Sequence, residues 1–257
     1  MGIIGNGIRF RKLTTLFISV IMLLCLSSEA YARTDKTASA WYVKKNTVTC
    51  TMPGATRSYH IYNQKKLGLY FRSYGCITTA VSICASGFGA DVKPKSIRSG
   101  KASATYSERY ALSRMGVKPK VKNEPISLRC ASQILTDMGI PNQRVTQFSN
   151  AQAEADIRAH LLEGKPVLVK VKKGRWKGIE FTVSHHALVL IGIVGDNVIF
   201  INPSSGGVNS SRAGNIHKHI NITLRDLISH FMYQSFRHTE SAYSKAVKRA
   251  GGYILVG

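Results

Sequence analysis

Two apolar runs, Ala187 to Ile193 and Val198 to Ile201, constrain this chain more than any other stretch. A strand with one wet face alternates apolar and polar residues, whereas a strand without polar positions has to be covered on both sides. Gly195-Asp196-Asn197, between the runs, is turn chemistry, so the spacing predicts a buried antiparallel hairpin. Such a hairpin needs layers above and below it. It also folds the end of its second arm back towards the start of its first, which makes His186 and Asn202 near neighbours.

A second stretch, Ser73-Tyr74-Gly75-Cys76-Ile77-Thr78-Thr79-Ala80-Val81-Ser82-Ile83-Cys84, reads as a cysteine at the start of a buried helix that stops at Gly87. Ile77, Ala80, Val81 and Cys84 recur at three- and four-residue intervals and are expected to share one face. Gly75 leaves room beside the thiol. In a first helical turn the thiol meets unpaired N–H groups and the positive end of the helix dipole, which favours thiolate over thiol. Simple packing is the plainer account of such a cysteine taken alone.

Cys76 and the hairpin together supply a nucleophile, an imidazole and a side chain to orient it, the set used by cysteine peptidases. With Gly75-Cys76, Thr79 and Gly87-Phe88-Gly89, with Gly164-Lys165-Pro166-Val167-Leu168-Val169, and with His186 through Asn202-Pro203, the chain resembles the papain-like bacteriocin-processing peptidases (family C-thirty-nine) and their secreted single-domain relatives. The resemblance implies an α+β papain-like fold, with an N-terminal helical part carrying the nucleophile helix and a C-terminal antiparallel sheet carrying His and Asn. It implies Cys76 as nucleophile, His186 as base and Asn202 as the orienting residue, with the Cys76 N–H in the oxyanion hole. No cofactor is expected. Relatives place an oxyanion glutamine about six residues before the nucleophile, where this chain has Tyr70; Gln64 is the candidate instead. Ile77 and Thr78 also stand where relatives often carry small residues.

Residues 1–32 read as a secretory signal: Arg9, Arg11 and Lys12, then an apolar run from Leu13 to Leu26, then Ala30-Tyr31-Ala32 as a cleavage site. Secreted or extracellular, cell-wall-associated placement follows, with no stable membrane anchor once the signal is removed. Residues 33–58 read as a polar lead-in and 59–257 as the peptidase domain. Within it, Tyr59 to Gln64 suggests a short strand, Ser107 to Met115 a short helix, and Leu128, Ala131, Leu135 and Met138 a helical stripe stopped by Gly139. A helix capped at Ser149 or Asn150 should run to Gly164, then come a strand from Val167, a loop at 174–178, a Gly-rich loop at 204–216, a helix over 223–236 and a closing strand at 253–256.

The formal net charge is +23, so the surface seeks anions. No nucleic-acid motif accompanies it, and in an exported chain the expected partners are anionic cell-wall polymers or an acidic polypeptide. The expected substrate is a polypeptide or a peptidoglycan stem peptide. A generally basic solvated surface is the plainer account. Cys84 reads as core, which leaves Cys50 with Cys130 as the one disulfide pairing open. His185, His186, His217 and His219 lack metal-ligand spacing, so no metal is expected. The alternative to an enzyme is an inactive papain-like fold that binds wall polymers or an acidic partner through its basic face.

Overall fold

The computed structural model describes residues 40–99, 126–182, 185–213, 216–231 and 251–257. The signal read at 1–32 and the helix read at 107–115 lie outside these residues, as does residue 232 onward of the helix read over 223–236. In chain order the elements are β1 (Trp41–Lys44), β2 (Thr47–Thr51), β3 (Thr56–His60), a 3-10 turn (Gln64–Lys66), α1 (Leu69–Tyr74), α2 (Cys76–Ser86), α3 (Pro94–Ser99), α4 (Leu128–Asp137), β4 (Asn142–Val145) and α5 (Asn150–Leu162). There follow β5 (Val167–Val171), β6 (Gly174–Trp176), β7 (Ile179–Thr182), β8 (His186–Val194), β9 (Asn197–Asn202), β10 (Gly207–Val208), β11 (Ser210–Ala213), β12 (Ile216–His219), α6 (Leu224–Ser229) and β13 (Tyr253–Val256).

A six-stranded antiparallel sheet in the order β10-β9-β8-β5-β13-β4 is the centre of this mixed helix-and-sheet structure. Every residue of β5 is buried, and so is all of β8 except Val194, as two-sided cover demands. One face (Leu168, Ala187, Val189, Ile199, Ile201, Ile254) packs with α2, α4 and residues of β2. The other (Val167, Val169, Val171, Leu188, Leu190, Phe200) packs with α5 and α6. The C-terminal strand β13 lies inside the sheet, between β5 and β4.

Helix α2 is not amphipathic: Ile77 through Ser86 are all buried, hydroxyl-bearing residues included. Its apolar residues alone would fit the expected stripe, but the sheet, α4 and β3 enclose it from several sides. Ser127 caps α4 by accepting from Cys130 N–H at 3.1 Å, and Ser149 caps α5 by accepting from Gln152 N–H at 3.1 Å. Gly139 and Gly164 follow these helices at φ 74° and 72°, the left-handed conformation in which glycine commonly ends a helix.

Four stretches differ from the sequence reading. Residues 41–58, read as a lead-in, form most of a three-stranded sheet, β1-β2-β3, that sends Val48, Cys50 and Met52 into the core. Its threonines and charged residues obscure a two-residue period that only the β2 burial pattern reveals. The strand expected to reach Gln64 ends at His60 instead. The loops read at 174–178 and 204–216 contain short paired strands, and Ser205, Asn209 and Ser211 are buried there.

The hairpin carries one feature the sequence reading lacks. Val194 pairs with Asn197 around the two-residue turn Gly195-Asp196, but between Gly192 and Leu190 the register slips by one, so that Val189 faces Ile201. Ile191 is the extra residue of a β-bulge. Continued along the ladder, this register sets Asn202 opposite Leu188, on the same face as His186. Were Ile191 an ordinary paired residue of the ladder, Asn202 would stand opposite Val189, on the other face, because a one-residue slip turns a whole strand over. Glycine is required beside the bulge. A Cβ on Gly192 would stand 2.6 Å from Cys50 Sγ and 3.1 Å from Met52 Sδ, and Ile193 N–H is 3.4 Å from that same Sδ.

Candidate functional site

Cys76 is the first residue of α2, directly after Gly75. The space at Gly75 is taken by the preceding helix, not by the thiol: a Cβ there would lie 2.4 Å from Phe71 Cδ1 and 2.6 Å from Phe71 Cα. This close approach turns the chain from α1 into α2. Cys76 is partly exposed, whereas Cys50, Cys84 and Cys130 are buried thiols, and no disulfide joins Cys50 to Cys130. Burial pushes Cys50 up to about 12, which makes it inert at neutral pH.

His186 opens β8 and Asn202 closes β9, and His186 Nε2 lies 2.8 Å from Asn202 Oδ1. The protonation pattern follows from the partners of Asn202. Its Nδ2 donates to Ser210 C=O at 2.9 Å, which only an NH2 group can do, and its Oδ1 accepts from Ser204 N–H at 2.9 Å. The amide oxygen must therefore face His186, so Nε2 carries the ring proton. Nδ1 is left with a lone pair and can act as a base. Sequence reasoning missed Ser204 and Ser210. They act through backbone groups, which leave no trace in residue identity.

Burial pushes the Cys76 thiol up; hydrogen bonding from the Ala187 backbone, the charge of Lys170 and the backbone of Ile77 and of Cys76 itself pull it part of the way back. Burial pushes His186 down to about 4, opposed by its bond to Asn202 and reinforced by the charge of Lys65. The helix start alone favoured a thiolate. Desolvation outweighs it, and the free protein favours a neutral thiol at Cys76 and a neutral imidazole at His186. Ala187, whose backbone meets the thiol, is the next residue after His186, so the structure brings the cysteine to the root of the histidine strand.

Gln64 is buried in the 3-10 turn. Its N–H donates to Pro203 C=O at 2.9 Å, beside Asn202, and its Nε2 donates to Phe71 C=O at 3.0 Å. Gly75 N–H donates to the same carbonyl at 3.1 Å. Gln64 thus ties the end of β9 to the turn just ahead of Cys76. One Nε2 hydrogen remains uncommitted, while Oε1 is buried without a partner among the described residues. His185 is exposed, with desolvation and Lys170 both lowering its pKa. The side chain of His217 lies outside those described. Among the described residues no cluster of three His, Cys, Asp or Glu is placed to hold a metal ion.

A search of curated proteins finds no match. Among solved structures, a crystal structure described as a C39-like peptidase from Bacillus anthracis is 13% identical, with a TM-score of 0.41, over 76% of this chain and 93% of that one. The model of the Peptidase_C39 like family matches residues 56–218, from the third strand of the N-terminal sheet to past the histidine hairpin. That span is more than half of the sequence, and the chain belongs to the Peptidase_C39 like family.

Proposed function

We propose that this protein is an exported cysteine peptidase that hydrolyses amide bonds through Cys76, His186 and Asn202. The observation that carries the reading is the Asn202 amide, held by Ser204 and Ser210 so that His186 presents an unprotonated Nδ1. On substrate binding the imidazole takes the Cys76 proton while sulfur attacks the carbonyl, forming a C–S bond. The N–H groups at the start of α2, with the spare Gln64 hydrogen, face the developing oxyanion. Each such donor is typically worth about 3 kcal/mol in the transition state. Collapse expels the amine, which takes the proton from the imidazolium, and water then hydrolyses the thioester by the same route.

The substrate class follows from the charge. A protein of net charge +23 attracts acidic polypeptides and anionic wall polymers, which suits peptide or peptidoglycan stem-peptide substrates outside the cell. The exposed cations Lys172, Lys173, Arg175 and Lys177 along β6 and its turn lie just ahead of the histidine strand and suit that steering. The test is turnover of stem peptides and acidic polypeptides by the parent, Cys76→Ala and His186→Ala, with trapping of the thioester by rapid quench and mass spectrometry. Hydrolysis abolished by either substitution supports the reading.

A second reading, a binding protein that has lost activity, draws on one observation: a Gln64 hydrogen is already engaged by Phe71 C=O. It requires that Cys76→Ala keep full biological activity and that raised salt remove it.

A further inference from the structure

β5 is apolar at every position but one, and the exception is buried. Lys170 is 7% exposed in the middle of the sheet, where a lysine costs more than any residue it replaces unless its charge has work to do. Its direction is fixed by the ladder. Val167, Val169 and Val171 face α5, so Leu168 and Lys170 face the α2 side. Lys170 pairs in register with Ala187, the residue whose backbone meets the Cys76 thiol. Strand, face and register therefore converge on the start of α2.

We propose that Lys170 is a positioning residue for Cys76: its ammonium, held by β5 beside Ala187, is the fixed positive charge against which the thiol ionises. The proposal rests on the reading of Cys76 as nucleophile and deepens it. In the usual arrangement the histidine supplies the positive charge beside a thiolate. Here His186 is held neutral by burial, and Lys65 opposes its protonation further. A lysine loses its proton far less readily than an imidazole and can hold its charge where His186 cannot. The interaction is reciprocal: the lysine draws the thiol down, and the thiolate offsets the desolvation that lowers the lysine.

Among the described residues, the titratable groups around Lys170 come from three directions. Cys76 approaches from α2 and His185 from the start of β8, where it feels the lysine's charge, while His186 pairs with Val171, whose side chain lies on the other face. From β13 the approach is by backbone, since Lys170 N–H donates to Gly252 C=O at 3.4 Å, and the Tyr253 phenol turns away to Asp156 on the α5 side. Lys170 governs the thiol before substrate arrives. His186 Nδ1 remains the base that carries the proton during turnover.

The deciding measurement needs no substrate. The rate of Cys76 alkylation by iodoacetamide is measured against pH for the parent, Lys170→Met, Lys170→Gln, Lys170→Arg and His186→Ala, with a thermal melt on each. We expect Lys170→Met and Lys170→Gln to raise the midpoint by about one pH unit, a tenfold loss of rate below it. Lys170→Arg should keep the parent profile, and peptide turnover by Lys170→Met should recover as pH is raised. Either neutral variant that folds suffices for the comparison. Superposable parent, Met and Gln profiles overturn the proposal, as does an Arg profile displaced as far as the Met one, which would make packing the cause. If His186→Ala alone moves the midpoint, Lys170 is excluded while the peptidase reading stands. If no variant moves it and neither Cys76→Ala nor His186→Ala abolishes peptide turnover, both fall.

Discussion

Acid should unfold this protein in large part through His186. The imidazole titrates near 6.5 in an unfolded chain, but its burial in the fold pushes it down to about 4. Between those values the unfolded chain holds the proton and the folded one does not, so stability falls as pH is lowered through the window. Above about pH 6.5 the contribution is flat, and below about 4 the loss is complete. The displacement of roughly 2.5 units limits the loss to about 3 kcal/mol, of which about 2.5 kcal/mol should be gone by pH ~4.5. His160 and His230 are also lowered by burial and add a slope of the same sign, so the parent alone is not diagnostic. His186→Gln isolates the effect, since its amide can still donate to Asn202 Oδ1 but does not titrate. Urea denaturation of both proteins at pH 7 and at about pH 4.5 should show the parent losing about 2 to 3 kcal/mol more than the variant. Equal losses, within about 0.5 kcal/mol, would refute the reasoning and mean that water or Asn202 sustains the imidazolium inside the fold.

The same geometry makes other expectations. Asn202→Ala strands the His186 ring N–H, Ser204 N–H and Ser210 C=O together, and should cost about 2 to 4 kcal/mol in denaturant titration, along with most of the turnover. Gly192→Ala places a Cβ against Cys50 Sγ and should cost about 1 to 3 kcal/mol; in a double-mutant cycle Cys50→Ala should return part of that loss. Iodoacetamide on the native protein should label Cys76 and spare Cys50, Cys84 and Cys130, which react once guanidinium opens the core. Peptide mapping by mass spectrometry distinguishes the sites. Gly75→Ala meets the Phe71 backbone at 2.6 Å and should move the thiol, slowing that alkylation even where the protein still folds.

What could be read from the sequence were the elements whose burial is continuous or whose ends are chemically marked. The unbroken apolar arms of the hairpin, Ser149 as a cap and Gly139 and Gly164 as stops all speak through residue type, whereas the Ser127 cap emerges only in the fold. The N-terminal sheet was hidden because its small strands alternate apolar residues with Thr, Lys and Arg that suit a loop equally well. The pairing of Tyr253 to Val256 inside the sheet is a long-range choice without local signal. The ionisation of the site differs from the local expectation for a related reason: a helix start can be recognised locally, but the burial that reverses its effect on Cys76 arises only once the chain is folded around α2. Lys170 is a plain lysine in the sequence and gains meaning only from the face on which the ladder sets it.

The bulge at Ile191 ties chain length to chemistry. Around a two-residue turn, residues that share a face of an unbroken hairpin are separated by an odd number of positions, yet His186 and Asn202 are sixteen apart. An even interval across such a turn is thus a parity signal, legible in residue numbers alone, that one arm holds a supernumerary residue. It also predicts an asymmetry in what this site tolerates. Exchanging one apolar side chain for another along β8 leaves parity intact and disturbs only packing. Deleting Ile191 itself restores an unbroken ladder with an odd interval and keeps the pair on one face, whereas inserting a single residue between Ile191 and Asn202 with the bulge retained turns the imidazole and its amide to opposite sides of an otherwise serviceable sheet. Drift in this lineage should therefore substitute freely within the hairpin and change its length only in compensated pairs or together with the bulge.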